Sequence, residues 1–155
     1  MPSQLTRRHI LLTLPAAAAA LSLPSLASAA TPKIYTEDGI AVDGSDVVAY
    51  FTDKKPVMGR ADITHDWMGA TWRFASEENR AAFAADPEAY APQFGGYCAY
   101  AVANGATAPT VPEAWRIVDG KLYLNFSKGV QKRWLEDVPG NIAKANANWP
   151  AVLDR

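Results

Sequence analysis

The chain has 155 residues, 49% of them apolar, with five Trp, six Tyr and five Phe; this is enough for one domain with a full core and excludes a disordered chain. Its formal charge of −1 comes from 15 basic and 16 acidic residues, and the lysines and arginines are scattered singles and pairs, which argues against a nucleic-acid surface. Cys98 is the only cysteine, so no internal disulfide can form.

Residues 1–29 read as an export signal that is cleaved after Ala29. Arg7-Arg8 precedes an uncharged run from Ile10 to Leu26, and the run ends in the small-residue pattern Ala27-Ser28-Ala29. A membrane anchor would need about 20 apolar residues without a cleavage pattern, whereas this run is Ala-rich and carries Pro15 and Pro24. Thr6-Arg7-Arg8-His9-Ile10-Leu11 resembles the twin-arginine type, which would place the mature chain in the periplasm. Ile10 and Leu12 depart from the residues common in that motif and leave the Sec route open. Without the leader the chain keeps 13 basic and 16 acidic residues and one histidine, His65.

Acids and glycines at Glu37, Asp38, Gly39 and Asp43 predict a polar arm over residues 30–43, with one extended piece from Ile40 to Val42. A single domain is expected over residues 44–150. Val47 to Phe51 is apolar on both faces and fits either a central strand or a short helical turn. Ile63 to Trp67 and Ala70 to Ala75 flank Met68-Gly69 and predict a hairpin, with His65 and Trp67 on one face and Ala70, Trp72 and Phe74 on a buried one. Ser76 is placed to cap a helix carrying Glu77 and Glu78 in its first turn and Phe83 as its apolar anchor; Asp86-Pro87 ends it and starts a turn bearing Tyr90. After Gly95-Gly96, Tyr97 to Ala103 fits a short helix that stops at Asn104-Gly105, and residues 105–114 read as a loop. Trp115 to Asn125 is a hairpin about Asp119-Gly120. Ser127 caps a helix presenting Val130, Trp134 and Val138, and a last helix spans Asn141 to Trp149. The expected class is α+β: a small antiparallel sheet of hairpins, at about 63–75 and 115–125, with short helices packed on it.

Three separated motifs carry a resemblance: Gly69-Ala70-Thr71-Trp72-Arg73-Phe74-Ala75-Ser76, the spacing Phe83…Asp86-Pro87…Tyr90, and Gly95-Gly96-Tyr97-Cys98-Ala99-Tyr100. In this order they resemble the YHS domain family, in its exported single-domain branch, from about Gly44 to Trp149. The resemblance implies a small α+β domain with a role in metal binding or metal handling. Metal-binding versions of the domain carry cysteines near its start and in the strand-to-helix turn. Here Ala49, Ala75 and Asn79 stand at the places that look equivalent, which puts a multi-thiolate zinc or heavy-metal site in doubt.

The chemistry-bearing candidates are few. Cys98 is expected in the first turn of a helix, where unpaired N–H groups favour the thiolate; the competing expectation is a buried small hydrophobe. Cys98 and His65 would make a soft pair, to which Met58 and Met68 could add thioethers. Such a set favours copper as Cu(I), or zinc on thiolate and imidazole. Asp46 and Tyr50 are further polar candidates that a turn cap and a core phenol explain equally well. Tyr97, Tyr100, Trp67 and Trp72 fit the core. Two function classes follow: a periplasmic metal-binding module using Cys98 and His65, whose partners are a metal ion or a periplasmic protein, and a metal-free interaction domain with a buried cysteine. An enzyme comes third, since no catalytic residue, oxyanion donor or third group accompanies the lone thiol.

Overall fold

A computed structural model describes residues 29–155; the expected leader lies outside the described residues except for Ala29. Six helices and two small sheets make an α+β fold. The segment expected as a polar arm is instead part of the folded body. Its acids gather in turns, while Ile34, Ala41 and Val42 are buried in the core. Thr36–Glu37 (β1) and Ile40–Ala41 (β2) pair antiparallel about Asp38-Gly39, both at positive φ. Tyr35 donates its N–H to the Gly95 carbonyl at 2.8 Å, and the Tyr97 hydroxyl donates to the Pro32 carbonyl at 2.8 Å.

Ala49–Thr52 (α1) settles the alternative over Val47 to Phe51 as one helical turn. Arg60–Trp67 (β3) and Ala70–Phe74 (β4) form the expected hairpin, with Met68 and Gly69 both at positive φ in its turn. The sheet order is β1-β2-β4-β3, and β2 runs parallel to β4 through Ile40 and Thr71. The second hairpin, Trp115–Val118 (β5) with Lys121–Leu124 (β6), forms a sheet of its own. The two hairpins are therefore present, in two sheets, and the larger sheet is mixed.

Ser76 caps Glu77–Ala85 (α2) by accepting the Asn79 N–H at 3.1 Å, as the sequence predicts. Pro87–Tyr90 (α3) and a 3-10 turn at Gln93–Gly96 lead to Ala99–Ala103 (α4). Ser127 caps Lys128–Leu135 (α5) through the Val130 N–H. Val138 does not continue that helix. Asp137 accepts the Gly140 N–H at 3.0 Å and opens a new one, Val138–Asn148 (α6), with Pro139 in its first turn where no N–H is needed.

Two apolar clusters share one wall. The first gathers Tyr50, Trp72, Phe74 and Phe83 between the mixed sheet and α2; the second gathers Phe94, Tyr97, Val102 and Trp134 among α4, α5 and α6. Strand β6 separates them by its period of two: Leu122 and Leu124 enter the first cluster and Tyr123 the second. Ala29 to Thr31 lie across a small cleft from Leu153 to Arg155. No described helix is long and apolar enough to cross a membrane.

Candidate functional site

Asp46 is fully buried and is the most connected polar side chain in the first half of the fold. Its Oδ1 accepts the N–H groups of Val48 at 3.0 Å and Ala49 at 3.3 Å, which caps α1. Its Oδ2 accepts the Ala75 N–H at 2.8 Å and the Asn79 Nδ2 at 2.8 Å, which ties that cap to the junction of β4 and α2. The positions where the resemblance expects cysteines are thus brought together, and an aspartate holds all three. A carboxylate accepting four N–H donors has its lone pairs committed. The place is filled by a hydrogen-bonded pin, and its donor set does not fit a multi-thiolate centre. Sequence alone could show Asp46 only as a local cap, because its other two partners are remote in the chain.

Cys98 is 1% exposed and stands just before α4 rather than inside its first turn. Its N–H is taken by the Ala108 carbonyl at 3.0 Å, and its Sγ donates to Asn125 Oδ1 at 3.6 Å. Asn125, also buried, accepts the Tyr100 N–H on the same oxygen at 3.1 Å. His65 is half-buried on β3, its ring edge-on to Phe83 with centroids 6.0 Å apart. The two expected ligands therefore have separate neighbours and share no hydrogen bond. Met58 and Met68 are 56% and 49% exposed, and Met58 belongs to a strand-like bridge with Ser45. Among the described residues, no group of three or more His, Cys, Asp and Glu side chains is placed to hold a metal ion.

An apolar groove lies elsewhere on the surface. Trp67 and Met68, at the tip of the first hairpin, face Trp149 and Pro150 at the C-terminal end, with Lys33, Ile34, Ala91, Pro92 and Gly95 forming the floor of a groove of about 260 Å³. Trp67, Ala91 and Pro92 continue into a second hollow bordered by Glu88 and Gln93. Each tryptophan is held by aromatic neighbours: Trp67 by Trp72 and Phe83, Trp149 by Phe94 and Tyr97. Their exposed edges are thus fixed by packing, the condition for a preformed apolar contact site. Trp67, expected in the core, is only half-buried, as is Trp149. Nothing in their spacing could have paired them, since they lie at opposite ends of the domain.

Comparison with known families gives one match, the YHS domain, over residues 48–94, from α1 through α3 into the following 3-10 turn. The matched span holds Met58, His65, Met68, Ala75 and Asn79, with Asp46 just before it and Cys98 just after. No curated protein and no solved structure matches the chain.

Proposed function

We propose that this chain, a YHS-domain protein, is an exported binding module whose working surface is the Trp67–Trp149 groove, and that a soft-metal site on Cys98 and His65 is not its main business. The observation that carries this reading is the convergence of Trp67, Met68, Pro92, Trp149 and Pro150 on one apolar groove. Aromatic and proline walls of this kind accept a single apolar anchor from an extended partner segment, as grooves for proline-rich peptides do. Periplasmic residence, following cleavage after Ala29, belongs to the same proposal. The Asp46 pin supports the metal-free side, because it occupies the corner where the resemblance would put thiolates.

The test is an NMR titration with a proline-rich peptide and with N-acetyl-tryptophanamide, reading the five indole N–H signals. The Trp67 and Trp149 signals should move, and those of Trp72 and Trp134, both 0% exposed, should stay still. Trp149→Ala should abolish the response. Static signals for all five indoles would remove the groove reading. A Cu(I) competition assay runs beside it: one copper bound by the parent and lost in both Cys98→Ser and His65→Ala would restore the metal-handling reading in its place.

A further inference from the structure

Asn125 carries a polar atom that the fold leaves over. Its Oδ1 is committed to the Tyr100 N–H at 3.1 Å and to the Cys98 thiol at 3.6 Å, while its Nδ2, on a fully buried side chain, has no acceptor. Turning the carboxamide over would set the NH2 against the Tyr100 N–H, donor against donor, so the orientation is fixed by the backbone. A buried donor without a partner is costly and marks a place for an acceptor atom. An oxygen atom on the sulfur would accept from that NH2.

The cover over the thiol is an irregular segment. Residues 105–114 form no helix or strand and cross the site as a strap. Around the thiol it is held by the Cys98 N–H to the Ala108 carbonyl at 3.0 Å, Thr110 Oγ1 to the Gly96 carbonyl at 2.8 Å, the Val111 N–H to the Asn125 carbonyl at 3.1 Å and the Asn125 N–H to the Ala114 carbonyl at 2.9 Å, and further along by the Tyr50 hydroxyl to the Pro112 carbonyl at 2.9 Å and Lys128 Nζ to the Glu113 carbonyl at 3.3 Å. Irregular segments of this kind open locally while the rest of a domain stays folded.

We propose that Cys98 is a site of reversible oxidation by a small hydroperoxide, gated by the 105–114 strap, with the Asn125 amide holding the added oxygen. The thiol gives up its proton and the sulfur attacks one peroxide oxygen. An S–O bond forms and the O–O bond breaks; the departing hydroxide, or alkoxide from an organic hydroperoxide, takes the proton and leaves as water or the alcohol. Sulfur is oxidised by two electrons and the peroxide is reduced by two, giving the sulfenic acid. With one cysteine in the chain, the sulfenic acid has no internal thiol to condense with. An external low-molecular-weight thiol restores it, first as a mixed disulfide with loss of water, then by a second thiol that releases Cys98 and leaves as the external disulfide.

The full chain is treated with hydrogen peroxide and followed by intact mass and by trapping with a cyclic 1,3-dione, a reagent for sulfenic acids that ignores oxidised Met58 and Met68. The expected result is one dione adduct on Cys98 in the folded protein, prevented by prior thiol treatment and absent from Cys98→Ala. Thr110→Val frees one strap bond and should speed adduct formation roughly tenfold. Asn125→Asp keeps the oxygen that Tyr100 uses and removes the donor, so the singly oxidised form should give way to sulfinic acid. A thiol inert in the native protein yet reactive once denatured overturns the proposal, as does an Asn125→Asp variant that melts normally and accumulates the same sulfenic acid. Where Asn125→Asp does not fold, the rate in Thr110→Val decides: a rate equal to that of the parent overturns the gate.

Discussion

At Asp46, one carboxylate replaces what would otherwise be four unmatched N–H groups in two elements. Asp46→Ala leaves two buried and two half-buried donors without their acceptor and should cost about 3–5 kcal/mol in urea unfolding, the scale of breaking a buried polar network. Asp46→Asn should fall between the parent and the alanine variant, since one amide oxygen still accepts but the NH2 faces donors. Equal stability of all three proteins would show that the pin is decorative. Trp72, fully buried against Phe83 at a ring separation of 5.0 Å, is the apolar counterpart. Trp72→Ala should cost about 3–5 kcal/mol by the same measurement, and a loss under about 1 kcal/mol would mean the strand's faces are reversed.

Among the turns, two glycines with similar backbone angles make unlike demands. Gly120 (φ 74°) turns the second hairpin in open space, so Gly120→Ala should cost only the left-handed penalty, about 1–2 kcal/mol. At Gly95 (φ 62°) an added Cβ would lie 1.8 Å from the Lys33 carbonyl oxygen. Gly95→Ala must therefore push the 32–35 segment off the domain, with a larger drop in melting temperature and new proteolysis before Tyr35. The elements that were legible in the sequence are those with local causes: Ser76 and Ser127 as caps, and Met68-Gly69 and Asp119-Gly120 as turns. Val138 misled because its spacing from Val130 and Trp134 is helical, while Asp137 and Pro139 restart the helix between them. The arm over residues 30–43 misled for a similar reason: its acids sit in turns and hide the burial of Ile34, Ala41 and Val42. The groove and the Asp46 pin were illegible because both join residues that only the tertiary fold brings together.

Taken as a whole, the molecule is rich in buried phenols that prefer to stay neutral. Burial raises the ionisation of Tyr35, Tyr50, Tyr97 and Tyr123 above the ordinary range, with Asp43 adding to the effect at Tyr35 and Asp119 at Tyr123. A group whose folded pKa is raised contributes stability that is present below its unfolded value and lost as pH climbs past it. Unfolded tyrosine ionises near pH 10, so stability should hold up to about that pH and fall steadily above it, read as urea midpoints from about pH 7 to about pH 11. Tyr50→Phe should flatten the decline while costing about 1 kcal/mol at neutral pH, through loss of its 2.9 Å bond to the Pro112 carbonyl. An alkaline profile unchanged in Tyr50→Phe would assign the decline to the other phenols.

The cleft between residues 29–31 and 153–155 also sets a clock. Residues 29–31 line one cleft with 153–155, and Lys33 lines the groove that Trp149 and Pro150 border. Residues 29–31 can meet this partner only after residues 153–155 have left the ribosome, about 6–25 s later at roughly 5–20 residues per second. Throughout that interval the second apolar cluster lacks Trp149, Val152 and Leu153 and stays incomplete. A ribosome-bound chain halted at residue 140 should therefore be digested readily by protease, and the released chain should become resistant in a single step.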